Sequence, residues 1–332
     1  MSAMVRQHWK PALLLMVLSP LAEVISGATP ATLFFMPGIF FPYATLLYGF
    51  PVLVIREVAV RGKLGVLGLW CLGLLYALYN EGLRAATLFY PLDAPLDTFS
   101  TYGLVADVRV PFTIWISFWH GLFSVVIPVL FVGYLFPKKA DEPWLPVKAT
   151  WSLAILSVGT AVAYFLFVGE ASTTQDATTL IVHLTFLVVA ALVLWFVAGR
   201  LPRTPRIVAH GGANGFSWKP FFSGVGLYLF LSVVPEVMAQ DSIPPLLFAL
   251  YFVVLAVVAG WAIARRRETT RAQVVVFLLG SGTAQAALAV VFGVLIGNII
   301  WSISGVIFTA IFLGALVRIK RRPMAVLDGR EA

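Results

Sequence analysis

Residues 178–199 read TTLIVHLTFLVVAALVLWFVAG, an apolar run that carries one ionisable side chain, His183. A helix needs about 20 apolar residues to cross a bilayer. The run lacks the strict apolar–polar alternation of a barrel strand, so its period fits a helix. Within lipid, a helix satisfies its own backbone groups. Working outward, similar runs recur at 12–28, 36–55, 64–86, 112–135, 149–169, 220–238, 245–264, 272–293 and 298–317. With 178–199 they predict an all-α fold, a polytopic transmembrane helical bundle of about 10 spans. Residues 1–332 then form a single integral membrane domain.

Composition agrees. The 332 residues are 60% hydrophobic and 11% charged, with a mean hydropathy of +0.94. Soluble domains carry about 25% charged residues. The balance excludes a soluble enzyme, a disordered protein and a nucleic-acid binder. Cys71 is the only cysteine, which excludes an intramolecular disulfide. No P-loop and no G-x-G-x-x-G occurs, so no ATPase is predicted within the chain.

The net charge of +8 reads as a topology signal. Of the 23 Lys and Arg residues, all but Arg84 and Arg109 fall in alternate loops or at the ends. Arg6 and Lys10 precede the first span; Arg56, Arg61 and Lys63 close the second; Lys138, Lys139 and Lys148 follow the fourth. Arg200, Arg203, Arg206 and Lys219 follow the sixth, and Arg265, Arg266, Arg267 and Arg271 the eighth. Arg318, Lys320, Arg321, Arg322 and Arg330 lie at the end. The positive-inside rule makes that side cytoplasmic, with both termini there, in a plasma (inner) membrane. Loop 87–111 is then extracytoplasmic. Loop 200–219, with Gly211-Gly212-Ala213-Asn214-Gly215, is a flexible cytoplasmic loop. The opposite side is acidic, with Asp93, Asp97, Asp107, Glu170, Asp176 and Asp241. Span 12–28 has the basic start and the small residues Ser26-Gly27-Ala28 of a signal peptide, but Pro20 and Glu23 interrupt it. It is read as an uncleaved helix.

Ionisable residues inside a membrane are costly and mark function by default. The third span ends Tyr79-Asn80-Glu81-Gly82-Leu83-Arg84, where Glu81 and Arg84 share a helix face. His120 lies on the fourth span, with Ser117 and Ser124 on its face, and His183 on the sixth. His120 sits about 12 Å below its span's outer end and His183 about 8 Å, at 1.5 Å per residue. Glu81, Glu23 and Glu236 fall in the same outer layer. Two histidines and three carboxylates in one layer predict a polar cavity. Pro20-Leu21-Ala22-Glu23 reads as a broken helix of the kind that builds ion sites, or as a plain kink. Arg56-Glu57 and Arg61 read as an interfacial ion-pair set. Gly280-x-Gly282 and Gly293-x-x-x-Gly297 read as close helix packing.

Asn80-Glu81-x-x-Arg84, His120 on the next span and His183 two spans later resemble the CPBP group, which includes the CAAX prenyl proteases. That pattern is Glu-Glu-x-x-x-Arg, then Phe-x-x-x-His, then a histidine often followed by asparagine. The likeness covers about 80–190. Here Asn80 replaces the first glutamate, Ile116 the phenylalanine and Leu187 the asparagine, and Arg84 is one residue early. Tyr48-Gly49, Ile55-Arg56-Glu57 and Glu81-Gly82-Leu83 also resemble segments of uncharacterised polytopic prokaryotic membrane proteins.

Three functions remain open. The CPBP resemblance implies an intramembrane hydrolase in which Glu81 activates water, His120 and His183 orient it or ligate a divalent metal, and Arg84 holds Glu81 ionised. Its substrate is a membrane peptide or lipid-linked molecule. Alternatively, Glu23, Asn80, Glu81, His120, Ser124, His183 and Glu236 line the path of a secondary transporter, a proton-coupled carrier of a small molecule. A non-catalytic membrane subunit or scaffold is the third. Whether a metal or no cofactor is used stays open. Membrane lipids are the expected partners, and nucleic acid is not.

Overall fold

Apolar length becomes helix throughout. The computed structural model describes residues 3–29, 31–90, 98–167, 177–203, 206–208, 217–266 and 268–321. Ten helices among them are long and apolar enough to cross a membrane. They are α1 (Gln7–Ser26), α2 (Phe40–Arg61), α3 (Val66–Arg84), α4 (Val110–Leu135) and α5 (Val147–Phe167), followed by α6 (Thr178–Ala198), α7 (Lys219–Gln240), α8 (Pro245–Ala264), α9 (Ala272–Leu295) and α10 (Ile299–Lys320). Asp93, Asp97, Glu170, Asp176, the 211–215 stretch, Arg322 and Arg330 lie outside the described residues.

Burial grades these helices. α3 is 72% buried and α2 65%, whereas α6, α8 and α10 are 11% buried each. Ile181, Leu246 and Ile299 stand outward on the last three, as lipid contact requires. Lipid solvates apolar side chains as well as a neighbouring helix does, so close van der Waals contact has to join the helices. Small residues allow it. A Cβ on Gly73 would lie 2.7 Å from the Gly121 Cα, so α3 and α4 cross backbone to backbone. A Cβ on Gly224 or Gly280 would run into the Phe277 or Phe221 carbonyl, which joins α7 to α9. Ser281 Oγ adds a hydrogen bond to the Gly224 carbonyl at 3.0 Å. Gly297 differs from its packing expectation. It has φ +71° and open space around its Cα, and it serves the turn after α9.

α2 continues past residue 55 through Arg56 and Glu57 to Arg61. The charges are tolerated because each has partners. Arg56 donates to Glu57 at 2.6 Å and to the Ala140 carbonyl at 2.8 Å, and its guanidinium lies 3.6 Å from the Trp144 ring centre. The Trp144 backbone N–H donates to Glu57 at 2.8 Å. This set clamps the α4–α5 connection onto α2.

Basic loops gather on one face. Arg61 donates to the Leu145 carbonyl at 2.5 Å, and Lys139 donates to the Gln7 carbonyl. Gly65 lies against the Arg203 backbone, and Lys320 Nζ is 5.6 Å from the Trp218 ring. Strands β3 (Arg206–Val208) and β4 (Glu268–Thr270) pair in parallel, joining the α6–α7 and α8–α9 connections. On the opposite face, β1 (Leu104–Val105) and β2 (Val108–Arg109) form an antiparallel hairpin. Its turn residues Ala106 and Asp107 both have positive φ, the twist that a two-residue hairpin favours. Tyr102 OH donates to the Ile243 carbonyl at 2.5 Å, so this loop reaches the α7–α8 connection.

Candidate functional site

Three local departures from a regular α-helix build the site. Pro20 has no N–H to continue α1, and Ser19 Oγ turns back to the Leu15 carbonyl at 2.7 Å. The first span is therefore two helices, Ala3–Leu18 and a short outer piece, Leu21–Ser26, that carries Glu23. Gly27, at φ +82°, ends that piece. α3 finishes in a π-helical segment, Leu78–Arg84, that carries Asn80 and Glu81. α4 is α-helical through His120 and π-helical over Gly121–Val126, which includes Ser124. Wide turns of this kind re-aim side chains and are common at functional sites.

The three pieces converge on one nitrogen. His120 Nε2 lies 2.9 Å from Glu81 Oε1 and 3.4 Å from Glu23 Oε1. One ligand-capable atom from each of Glu23, Glu81 and His120 lies within 4.8 Å of the other two. Asn80 Nδ2 donates to Glu81 Oε1 at 2.6 Å and lies 3.3 Å from His120 Nε2. His120 Nδ1 is 2.9 Å from Ser124 Oγ. Thr87 Oγ1 donates to Glu81 Oε2, and the Tyr48 hydroxyl hydrogen-bonds Glu23. His120, Asn80 and Ser124 have no exposed surface, and Glu23 is 9% exposed. Two carboxylates and an imidazole are thus buried together. Nε2 faces two carboxylate oxygens and the Asn80 amide, a donor set that could hold a metal ion.

Arg84 departs from its expected pairing with Glu81. Its Nε donates to Asn80 Oδ1 at 2.8 Å. In the π segment the wider turn aligns residues four apart, so Arg84 orients Asn80, and Asn80 in turn holds Glu81. Arg84 still acts electrostatically on Glu81 from nearby. Ser117 is only part-buried, while Ser124 takes the histidine.

His183 and Glu236 stand elsewhere in the layer. His183 stacks on Phe89 with ring centres 3.9 Å apart and hydrogen-bonds the Ala106 backbone. It lies outside the Glu23–Glu81–His120 group. Glu236 accepts from Thr98 Oγ1 at 2.5 Å. Both therefore seat the outer loop on the bundle.

Three contributors went unread in the sequence. Thr87 follows the third span, and no spacing pointed to it. Tyr48 lies in the Tyr48-Gly49 segment, whose role was unassigned. Arg109 is one of the two basic residues outside the basic loops, and that exception was its signal. It is 1% exposed, donates to the Thr87 carbonyl at 3.0 Å and the Phe99 carbonyl at 3.2 Å, and so ties the outer loop to the threonine that holds Glu81.

No curated protein and no solved structure matches the chain. A family model described as an uncharacterized membrane protein family matches residues 13–321, a stretch that contains every candidate site residue, and the chain belongs to that family.

Proposed function

We propose that the protein is a secondary carrier whose cation site is the Glu23–Glu81–His120 centre. The observation that carries this reading is the way Glu23 is tethered. Its helical piece is cut from the rest of α1 at Pro20 and bonded to α9 and α10. Gln285 Nε2 of α9 donates to the Ala22 carbonyl at 2.9 Å, and Trp301 Nε1 of α10 donates to the Ile25 carbonyl at 3.1 Å. Glu81 and His120 instead ride on α3 and α4, which cross at Gly73 and Gly121. The centre is shared between two sets of helices, so movement of one set against the other makes or unmakes it. Broken helices at a site between moving parts are a carrier's device. The basic face is cytoplasmic in this reading, in a plasma membrane, and the centre lies toward the outer side.

Purified protein in liposomes on a solid-supported membrane tests this. Pulses of protons, alkali cations and divalent cations, alone and with a solute panel, should give currents in the wild type. Glu81→Gln should abolish them while the protein remains folded. Currents that do not depend on Glu81 for any ion overturn the carrier.

The 2.9 Å Glu81–His120 contact favours a second reading, an intramembrane hydrolase with Glu81 as general base and His120 oriented by Ser124. This resemblance-based reading rests on one histidine, since His183 faces Phe89. Cleavage of a membrane peptide or lipid-linked substrate that Glu81→Gln abolishes would select it over the carrier.

A further inference from the structure

We propose that the cation taken by this centre is a divalent first-row transition metal, bound by Glu23, Glu81 and His120. Its role as the moved or coupling ion rests on the carrier reading; its binding does not. Three features argue for a metal. The first is spacing. Ligand atoms about 2.1 Å from a tetrahedral ion stand about 3.4 Å apart. The imidazole–carboxylate separations here are 2.9 and 3.4 Å. Small side-chain shifts seat an ion among all three, with the fourth position left for water or a solute.

The second is the outer face of the histidine. A metal-bound imidazole donates its other N–H to a fixed acceptor, which sets the tautomer. Ser124 Oγ stands at that place, 2.9 Å from Nδ1 and without exposed surface. With Nδ1–H given to Ser124, the Nε2 lone pair points at two carboxylate oxygens. An ion between them turns three mutually repelling lone pairs into three ligands.

The third is the support of the carboxylates. Thr87 holds Glu81 through its other oxygen, Oε2, Asn80 donates to Oε1 beside the histidine, and Tyr48 holds Glu23. These partners orient the oxygens that would otherwise turn away from each other. One imidazole nitrogen with two carboxylate oxygens suits Zn²⁺, Co²⁺ or Mn²⁺. Mg²⁺ and Ca²⁺ take oxygen ligands, so the histidine selects against them.

The experiment uses full-length protein in nanodiscs, stripped with chelator and equilibrated with Zn²⁺ or Co²⁺. The expected result is one ion per chain, a Co²⁺ visible spectrum of low-symmetry character, and no displacement by millimolar Mg²⁺. Glu23→Gln and His120→Asn should remove it. Ser124→Ala, which leaves the ligands in place, should weaken binding about 10- to 100-fold. His183→Asn should change nothing, and thermal unfolding checks that each variant folds. No stoichiometric ion in the wild type, or retention unchanged in both folded ligand variants, overturns the metal site. Currents measured on the same preparations separate the two claims. Glu81-dependent proton currents without metal binding overturn the metal and leave the carrier. Metal binding without any current keeps the site and removes the carrier.

Discussion

At Arg56 a guanidinium is held inside the protein by a carboxylate, two carbonyls and an indole ring. Removing one partner of a buried pair strands the other, at a cost of about 3–5 kcal/mol. Arg56→Met should therefore lower the thermal midpoint in detergent markedly. Arg56→Lys should recover only part, because an ammonium cannot bridge the same acceptors and stack on Trp144. A midpoint unchanged in Arg56→Met would show the set to be dispensable. At the site, Thr87→Val keeps shape but takes away Glu81's donor, and should cost about 1–2 kcal/mol. Sequence reading reached Glu81, Asn80, Arg84, His120, Ser124 and Glu23 from the rarity of such residues in apolar runs. It could not place them around the bundle. Rise per residue gives depth, and depth put His183 and Glu236 in the same layer. Rotation decided that His183 meets Phe89 while His120 meets Glu81.

At the scale of the element, the site depends on a crossing that meets α4 at Gly121, next to His120, and α3 about two turns before Glu81. Gly73→Ala places a methyl against the Gly121 backbone and pushes α3 from α4. Overpacking of this kind costs about 1–3 kcal/mol. The variant should lose ion binding or current along with stability, although residue 73 touches none of the ligands. Gly159→Ala, on a part of α5 with open space around it, should leave both intact. Equal behaviour of the two would mean that the crossing does not position the site. The helices themselves were legible from apolar length. The π segments at 78–84 and 121–126 were not, because no residue type announces an extra residue in a turn. They explain why Arg84 aligns with Asn80 rather than Glu81. The continuation of α2 to Arg61 was equally hidden, since its charges are satisfied by residues some 80 positions away.

Across the whole molecule, charge and contacts agree on which loops share a face. With Cys71 replaced by alanine, single cysteines at Lys138, Arg203 and Thr101 test which face is which. A membrane-impermeant maleimide on intact cells should label Thr101→Cys and spare Lys138→Cys and Arg203→Cys. The reverse pattern would invert the bundle in its membrane. The gathering of alternate loops was readable from Lys and Arg alone. The β3–β4 bridge between two of them was not, because 206–208 carries no strand pattern beyond three residues.

The bonds from Gln285 and Trp301 to the Glu23 piece also set an order of manufacture. Glu23 leaves the ribosome before Glu81 and His120. The donors that seat its backbone arrive more than 250 residues later. Over that stretch of synthesis the nascent chain carries the carboxylate in the bilayer with its cradle unbuilt. Only insertion of the ninth and tenth helices locks it in place. Chains cut short before Trp301 would carry every ligand yet lack the finished centre, and quality-control proteases that survey the membrane would meet them as unassembled goods.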